Sequence, residues 1–198
     1  QLIARLGEHH NVNWSAPVEH DLVEVSLGER ARIVMLRALT GASLDLAGAY
    51  ELEIEPADVV VMIRYGAGHE WSAKEVVRDR GSDLYTIAQL WGALQSKLKG
   101  YEEPKVRYFL SRFEDHNRVT AIERLSDRLV TIERQGLEPL VVHIADEYIL
   151  SEEFVLKVLR ADPGVDIIAN ISQWNHYSPI GAQTARDYGI RVFDHKEL

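Results

Sequence analysis

"NRVTAIERLSDRLVTIERQG" (117–136), followed closely by "LVVHIA" (140–145), is the stretch on which the fold turns. Val119, Ile122, Leu125, Leu129 and Ile132 recur at spacings of three and four, which lays them along one stripe of a helix. Gly136 stands where such a helix would stop. "LVVHIA" is a near-continuous apolar run of strand length, the pattern of a strand buried on both faces. A helix feeding such a strand is half of a βαβ unit, so this reading points to a parallel sheet.

Outward from there the alternation continues. Ser151 opens a helix carrying Phe154, Val155, Val158 and Leu159, and "DPG" (162–164) ends it. "VDIIANIS" (165–172) is the next strand. Ser178 as N-cap, Pro179 at the first helical position and Gly189 past the last turn bracket a final helix, and "IRVF" (190–193) closes the unit. Upstream, "VRYFLSRF" (106–113) is rich in β-branched and aromatic residues behind Pro104 and reads as a strand. "SDLYTIAQLWGALQSKLKG" (82–100) places Leu84, Ile87, Ala88, Trp91, Leu94 and Leu98 on a helical stripe ending at Gly100. "VVVMIRY" (59–65) is the expected central strand. "AYELEIE" (49–55), across the turn "EPAD", reads as an antiparallel neighbour, and "ERARIVMLRALTG" (29–41) as a helix. Residues 1–27 show no sustained period and read as an N-terminal arm, which leaves 28–198 as a single α/β domain. No fixed period and no recurring residue signature mark an internal repeat.

Composition narrows the function classes. The chain has 198 residues, 46% hydrophobic and 27% charged, as a globular domain does. It contains no cysteine, which excludes disulfides and thiolate metal sites and fits a reducing, cytoplasmic setting. The longest apolar run, "VVVMI" (59–63), is strand-sized, so no membrane partner is expected. A net charge of -9 opposes nonspecific association with polyanions, although Lys97, Lys99, Lys105, Arg107 and Arg112 form a local basic stretch.

In a parallel α/β sheet, ligands bind beyond the carboxyl ends of the strands, where loops and helix N-termini converge. Those exits carry His69 and Glu70 after the strand at 59, and Asp115 and His116 after that at 106. They carry Asp146 after the strand at 140, and Trp174, Asn175 and His176 after that at 165. Imidazole and carboxylate together are what a divalent metal (Mg, Mn or Zn) or an acid/base pair needs. Asp115, His116, Asp146 and His176 are therefore the expected catalytic and metal-ligating residues, and Asn175, Trp174, His69 and Glu70 the expected substrate contacts. His143, inside an apolar strand, is expected to be a hydrogen-bonded core residue. No HExxH, phosphate-loop or nucleophile-elbow motif is present.

"VDIIANISQWNHYSPIGAQTARDYGIRVFDHKEL" (165–198) resembles the closing strand-helix-strand of Mrr-like members of the restriction-endonuclease-like superfamily. The likeness lies in an apolar strand ending in Ser, the Tyr177-Ser178 pair before a helix, alanines within that helix, and Gly-Ile leading into the last strand. The resemblance implies a metal-dependent nuclease framework in which an acidic residue and an E-x-K element on adjacent strands hold Mg²⁺. "VVVMIRY" has Met62 and Arg64 in that place, and "VVHIADEY" has Asp146 without a Lys, which points to an inactive relative. The expected fold is accordingly a mainly parallel five- to six-stranded sheet with helices on both faces, Rossmann-like or restriction-endonuclease-like in three layers. The expected function is hydrolysis or binding of a phosphate-containing ligand or nucleic acid at the carboxyl edge of the sheet. The alternative is a non-catalytic interaction module with a protein partner or a second copy of itself.

Overall fold

A computed structural model describes residues 2–19, 21–29, 31–173 and 176–194. The chain separates into two compact units, Gln1–Glu103 and Pro104–Leu198.

The first unit runs α1 (Leu2–Leu6), β1 (Val12–Pro17), β2 (Leu22–Leu27), β3 (Arg32–Leu39), β4 (Ser43–Leu44) and α2 (Leu46–Glu51). It continues through β5 (Val59–Met62), β6 (Gly68–His69), α3 (Trp71–Asp79), β7 (Asp83–Thr86) and α4 (Ile87–Gln95). Its sheet has the order β1-β2-β3-β5-β7, antiparallel as far as β3 and parallel beyond it. The second unit runs α5 (Pro104–Glu114), β8 (Val119–Arg124), β9 (Leu129–Arg134), β10 (Leu137–Ala145), β11 (Ile149–Leu150) and α6 (Glu152–Ala161). It ends with β12 (Ile167–Asn170), β13 (His176–Tyr177), α7 (Pro179–Asp187) and β14 (Arg191–Asp194). Its sheet has the order β8-β9-β10-β12-β14, again antiparallel in its first half and parallel in its second. The expected mainly parallel sheet is thus replaced by two mixed ones. Residues 1–27, expected as an arm, supply α1, β1 and β2, and the expected single domain is replaced by two units.

The stretch 117–136 explains the difference. It is a hairpin, not a helix, because "SDR" in its middle folds back on itself. The Ser126 hydroxyl accepts the backbone N–H groups of Arg128 and Leu129 at 3.2 and 3.1 Å, a local bond that competes with helix formation. Beyond the turn the burial alternates, with Val130 and Ile132 inward and their neighbours more exposed, which is the period of two expected of a strand. "VRYFLSRF" errs the other way. Val106, Phe109 and Leu110 are buried and Phe113 packs beside them, a helical spacing that outweighs β propensity, and Pro104 begins the helix.

The two units repeat one plan. Strands and helices starting at 43, 46, 59, 68, 71 and 83 in the first are matched by those starting at 149, 152, 167, 176, 179 and 191 in the second. Register agrees as well: Leu36 pairs with Val59 and Leu39 with Met62, as Val142 pairs with Ile167 and Ala145 with Asn170. Even a side-chain device recurs. Asp58 accepts the N–H of Met35 at 3.0 Å, and Asp166 accepts that of Val141 at 2.9 Å, each pinning the start of a parallel strand to its neighbour.

In each unit helices pack on both sheet faces, and in the second unit α5 leaves part of one face open. Leu90, Ala93 and Leu94 of α4 pack with α1 on Val34, Leu36, Val59 and Tyr85, while α2 and α3 cover Val60, Met62 and Leu84. In the second unit α5 lies on Val142, Ile167 and Ala169, and α6 and α7 lie on Ala145 and Ile168. No helix among the described residues is long and apolar enough to cross a membrane.

Candidate functional site

In a mixed sheet the carboxyl ends of the parallel strands still gather the exits of several segments. In the first unit the apolar run of β5 ends at Met62. The next residues, Ile63, Arg64 and Tyr65, turn outward, with the Ile63 N–H bonded to the Leu39 carbonyl. They line a cleft of ≈ 290 Å³ with Leu2 and Arg5 of α1 and Ile87 at the start of α4. Its wall is aliphatic and its mouth carries two guanidinium groups and a phenol. Tyr65 is 96% exposed, so its ring is held out into solvent rather than packed. Among the described residues no carboxylate pairs with Arg5 or Arg64. An apolar cleft rimmed by open cations and a flat aromatic ring suits a planar group carrying a phosphate, since guanidinium bonds phosphate oxygens and the ring stacks.

The corresponding edge of the second unit is closed by its own groups. Asp146, just past β10, accepts the Lys105 ammonium on both oxygens at 2.9 and 2.7 Å. Asn170, fully buried at the end of β12, ties the two exits together. Its side chain donates to the Glu147 carbonyl at 2.8 Å and accepts the N–H groups of Glu147 and Ser172 at 3.1 and 3.3 Å. The lysine comes from a helix and not from two residues beyond an acid on a strand. The E-x-K arrangement that holds Mg²⁺ is therefore not formed at this edge. Among the described residues no three His, Asp or Glu side chains are grouped so as to hold a metal ion.

The expected site residues do not converge. Asp115 and His116 follow a helix, α5, and precede β8; Val119 lies opposite Arg134, which lies opposite Leu137 at the start of β10. They are at the amino end of the parallel strands, while Asp146 and His176 follow the carboxyl ends of β10 and β12. His116 serves its turn, its Nδ1 accepting the Arg118 N–H at 3.2 Å. His176 is exposed on β13, where its N–H bonds the Tyr148 carbonyl at 3.0 Å and its ring stands edge-on to Tyr148. His69 is buried in β6 opposite Leu44. Glu70 precedes α3 and accepts the Leu46 N–H at 3.1 Å, joining the starts of two helices. Trp174 and Asn175 lie outside the described residues. His143 bonds Asp162 at 3.0 Å, the partner expected of a core histidine.

Arg5, Arg64, Tyr65 and Asn170 are absent from the sequence-derived site. The one signal for them is "RY" (64–65) directly after the most apolar run of the chain, where two large polar side chains must leave the sheet. Comparison with protein-family models, with curated proteins and with solved structures gave no match.

Proposed function

We propose that this protein is a recognition module that binds a phosphate-bearing ligand with a planar base, a nucleotide or the end of a single strand, at the cleft of the first unit. The observation that carries it is the pairing of Arg5 and Arg64 with the outstretched Tyr65 over an aliphatic wall. The volume is that of a small-ligand cleft. The overall charge of -9 keeps binding local to this patch rather than spread along a polyanion.

We propose further that the second unit is a non-cutting relative of the Mrr-like nucleases. Its strand-helix-strand, β12-α7-β14, has parallel strands, and a lysine ammonium rests on Asp146, the acid directly past the end of β10.

The test is calorimetric titration of the full chain with a 5′-phosphorylated oligothymidylate and, separately, with inorganic phosphate. Arg64→Glu and Tyr65→Ala should each weaken oligonucleotide binding by about tenfold or more, the size of a lost charged or stacking contact. Phosphate alone should bind weakly and be insensitive to Tyr65→Ala. Unchanged affinity in both variants would sink the cleft assignment. Mg²⁺-dependent cleavage of the oligonucleotide that disappears in Asp146→Asn would instead overturn the non-cutting reading.

A further inference from the structure

The repeat sets one sheet face of the second unit beside its counterpart in the first. In the first unit Val25, Val34, Leu36, Val59, Val61 and Tyr85 are all fully buried, and α4, which follows the last strand, packs on them with Leu90, Ala93 and Leu94. The matching register positions in the second unit are Ile132, Leu140, Val142, Ile167, Ala169 and Phe193. Ile132, Val142, Ile167 and Ala169 are buried beside α5, while Leu140 and Phe193 are only partly buried, and the six line an open groove of ≈ 390 Å³ with Phe109 and Phe113 of α5. The groove is apolar along its length, and its charged rim is basic, with Arg118 and Arg134 at one end and His116 beside them. Arg134 spends its guanidinium on the Glu138 backbone carbonyl, while Arg118 is exposed. No acidic side chain lines the groove.

We infer that this groove receives an amphipathic helix from a partner protein, seated as α4 is seated on the first unit. Two observations specify the occupant. The sibling face is covered by a helix with apolar residues at i, i+3 and i+4, so the same sheet geometry takes the same stripe. The rim charge selects a helix with acidic residues flanking that stripe, since like charges at the rim would be repelled and opposite ones steered in. The chain's own α4 has no charged residue and would not satisfy the rim.

The probe is a fluorescein-labelled peptide with leucine and alanine at the spacing of Leu90, Ala93 and Leu94 and glutamate on its remaining faces, titrated with the full chain. Fluorescence anisotropy should rise to saturation. Leu137→Glu, at a groove residue that is 57% exposed and so replaceable without loss of the core, should weaken binding by about tenfold or more. Arg118→Glu should weaken it as well, and more at low salt than at high. A control peptide with serine at the leucine positions should not bind. Absence of saturable binding, or binding indifferent to Leu137→Glu, overturns the inference. A dimer of the unliganded chain seen by sedimentation and broken by Leu137→Glu would assign the groove to a second copy and overturn it too.

Discussion

His9 lies between His10 and Trp91, its ring centroid 4.7 Å from the first and 5.6 Å from the second. Partial burial, and secondarily the charge of His10, hold its imidazole below the ordinary histidine value. The neutral form is thus favoured in the folded chain, and the unfolded chain takes up a proton first as pH falls. Above about pH 6.5, the unperturbed value, neither state is protonated at this site and it contributes no pH dependence. Below that, stability falls until the folded-state value is passed. His9→Gln should therefore gain stability relative to wild type as pH drops from 7 toward 5, read from urea midpoints. A difference that stays flat across that window would refute the assignment. Arg37 offers a second test. It is 6% exposed and its guanidinium binds both Asp21 oxygens and the Glu55 carbonyl. Asp21→Ala leaves a buried cation with one partner and should cost about 2 kcal/mol, whereas Asp21→Ala combined with Arg37→Leu should cost less than Asp21→Ala alone, because no unpaired charge remains. The same strand position in the second unit holds His143 on Asp162, so the place demands a paired polar group but not a particular one.

At the scale of elements, the parts legible in the sequence are those with local punctuation. Ser178 accepts the Gly181 N–H at 2.9 Å as N-cap and Pro179 begins α7, both visible as a Ser-Pro pair. Ser151 caps α6 in the same way. What misled was apolar spacing alone: Val119 to Ile132 fits both a helical stripe and two facing strands, and only the Ser126 turn decides between them. "ERARIVMLRALTG" fails likewise, since β3 places Val34 and Leu36 on one face and alternates. Gly181 carries a packing constraint that no pattern announces. An added Cβ would lie 2.9 Å from the Ser151 carbonyl carbon and closer still to the Leu150 carbonyl oxygen, where α7 meets the start of α6. Gly181→Ala should destabilise by about 1–3 kcal/mol in a thermal or chemical melt, as overpacking does. The third residue of α3, in the equivalent place, is a buried Ala73. Ala73→Gly should therefore cost only about 1 kcal/mol, mostly helix propensity. Equal and negligible effects at the two sites would show that the helix pairs are looser than the backbone approach at Gly181 implies.

The whole molecule is two copies of one plan, against the expectation of no internal repeat, and short traces of that plan are present in the sequence. "RDRG" (78–81) and "RDYG" (186–189) both end a helix on a glycine with positive φ, 90° and 74°, just before the last parallel strand. An acid before an apolar run, Asp58 and Asp166, recurs as well. These marks are short and the intervening residues differ, because a buried strand needs only apolar bulk and a helix only a stripe. The candidate cleft was hidden for a related reason: it draws Arg5 from a segment read as an arm and Arg64 from one read as a strand interior, and tertiary folding alone brings them together. Duplication also has an energetic consequence. Each hydrophobic cluster takes its residues from one unit, and neither five-stranded sheet shares a strand with the other. Cooperative unfolding units follow such boundaries. Gly181→Ala should accordingly speed native-state amide exchange in β10, β12 and β14 while leaving protection in β2, β3 and β5 at its wild-type level. Faster exchange of comparable size in both sheets would mean that the two copies fold as one cooperative body. In that case the loss of oligonucleotide binding in a second-unit variant could no longer be read as evidence about residues that touch the ligand.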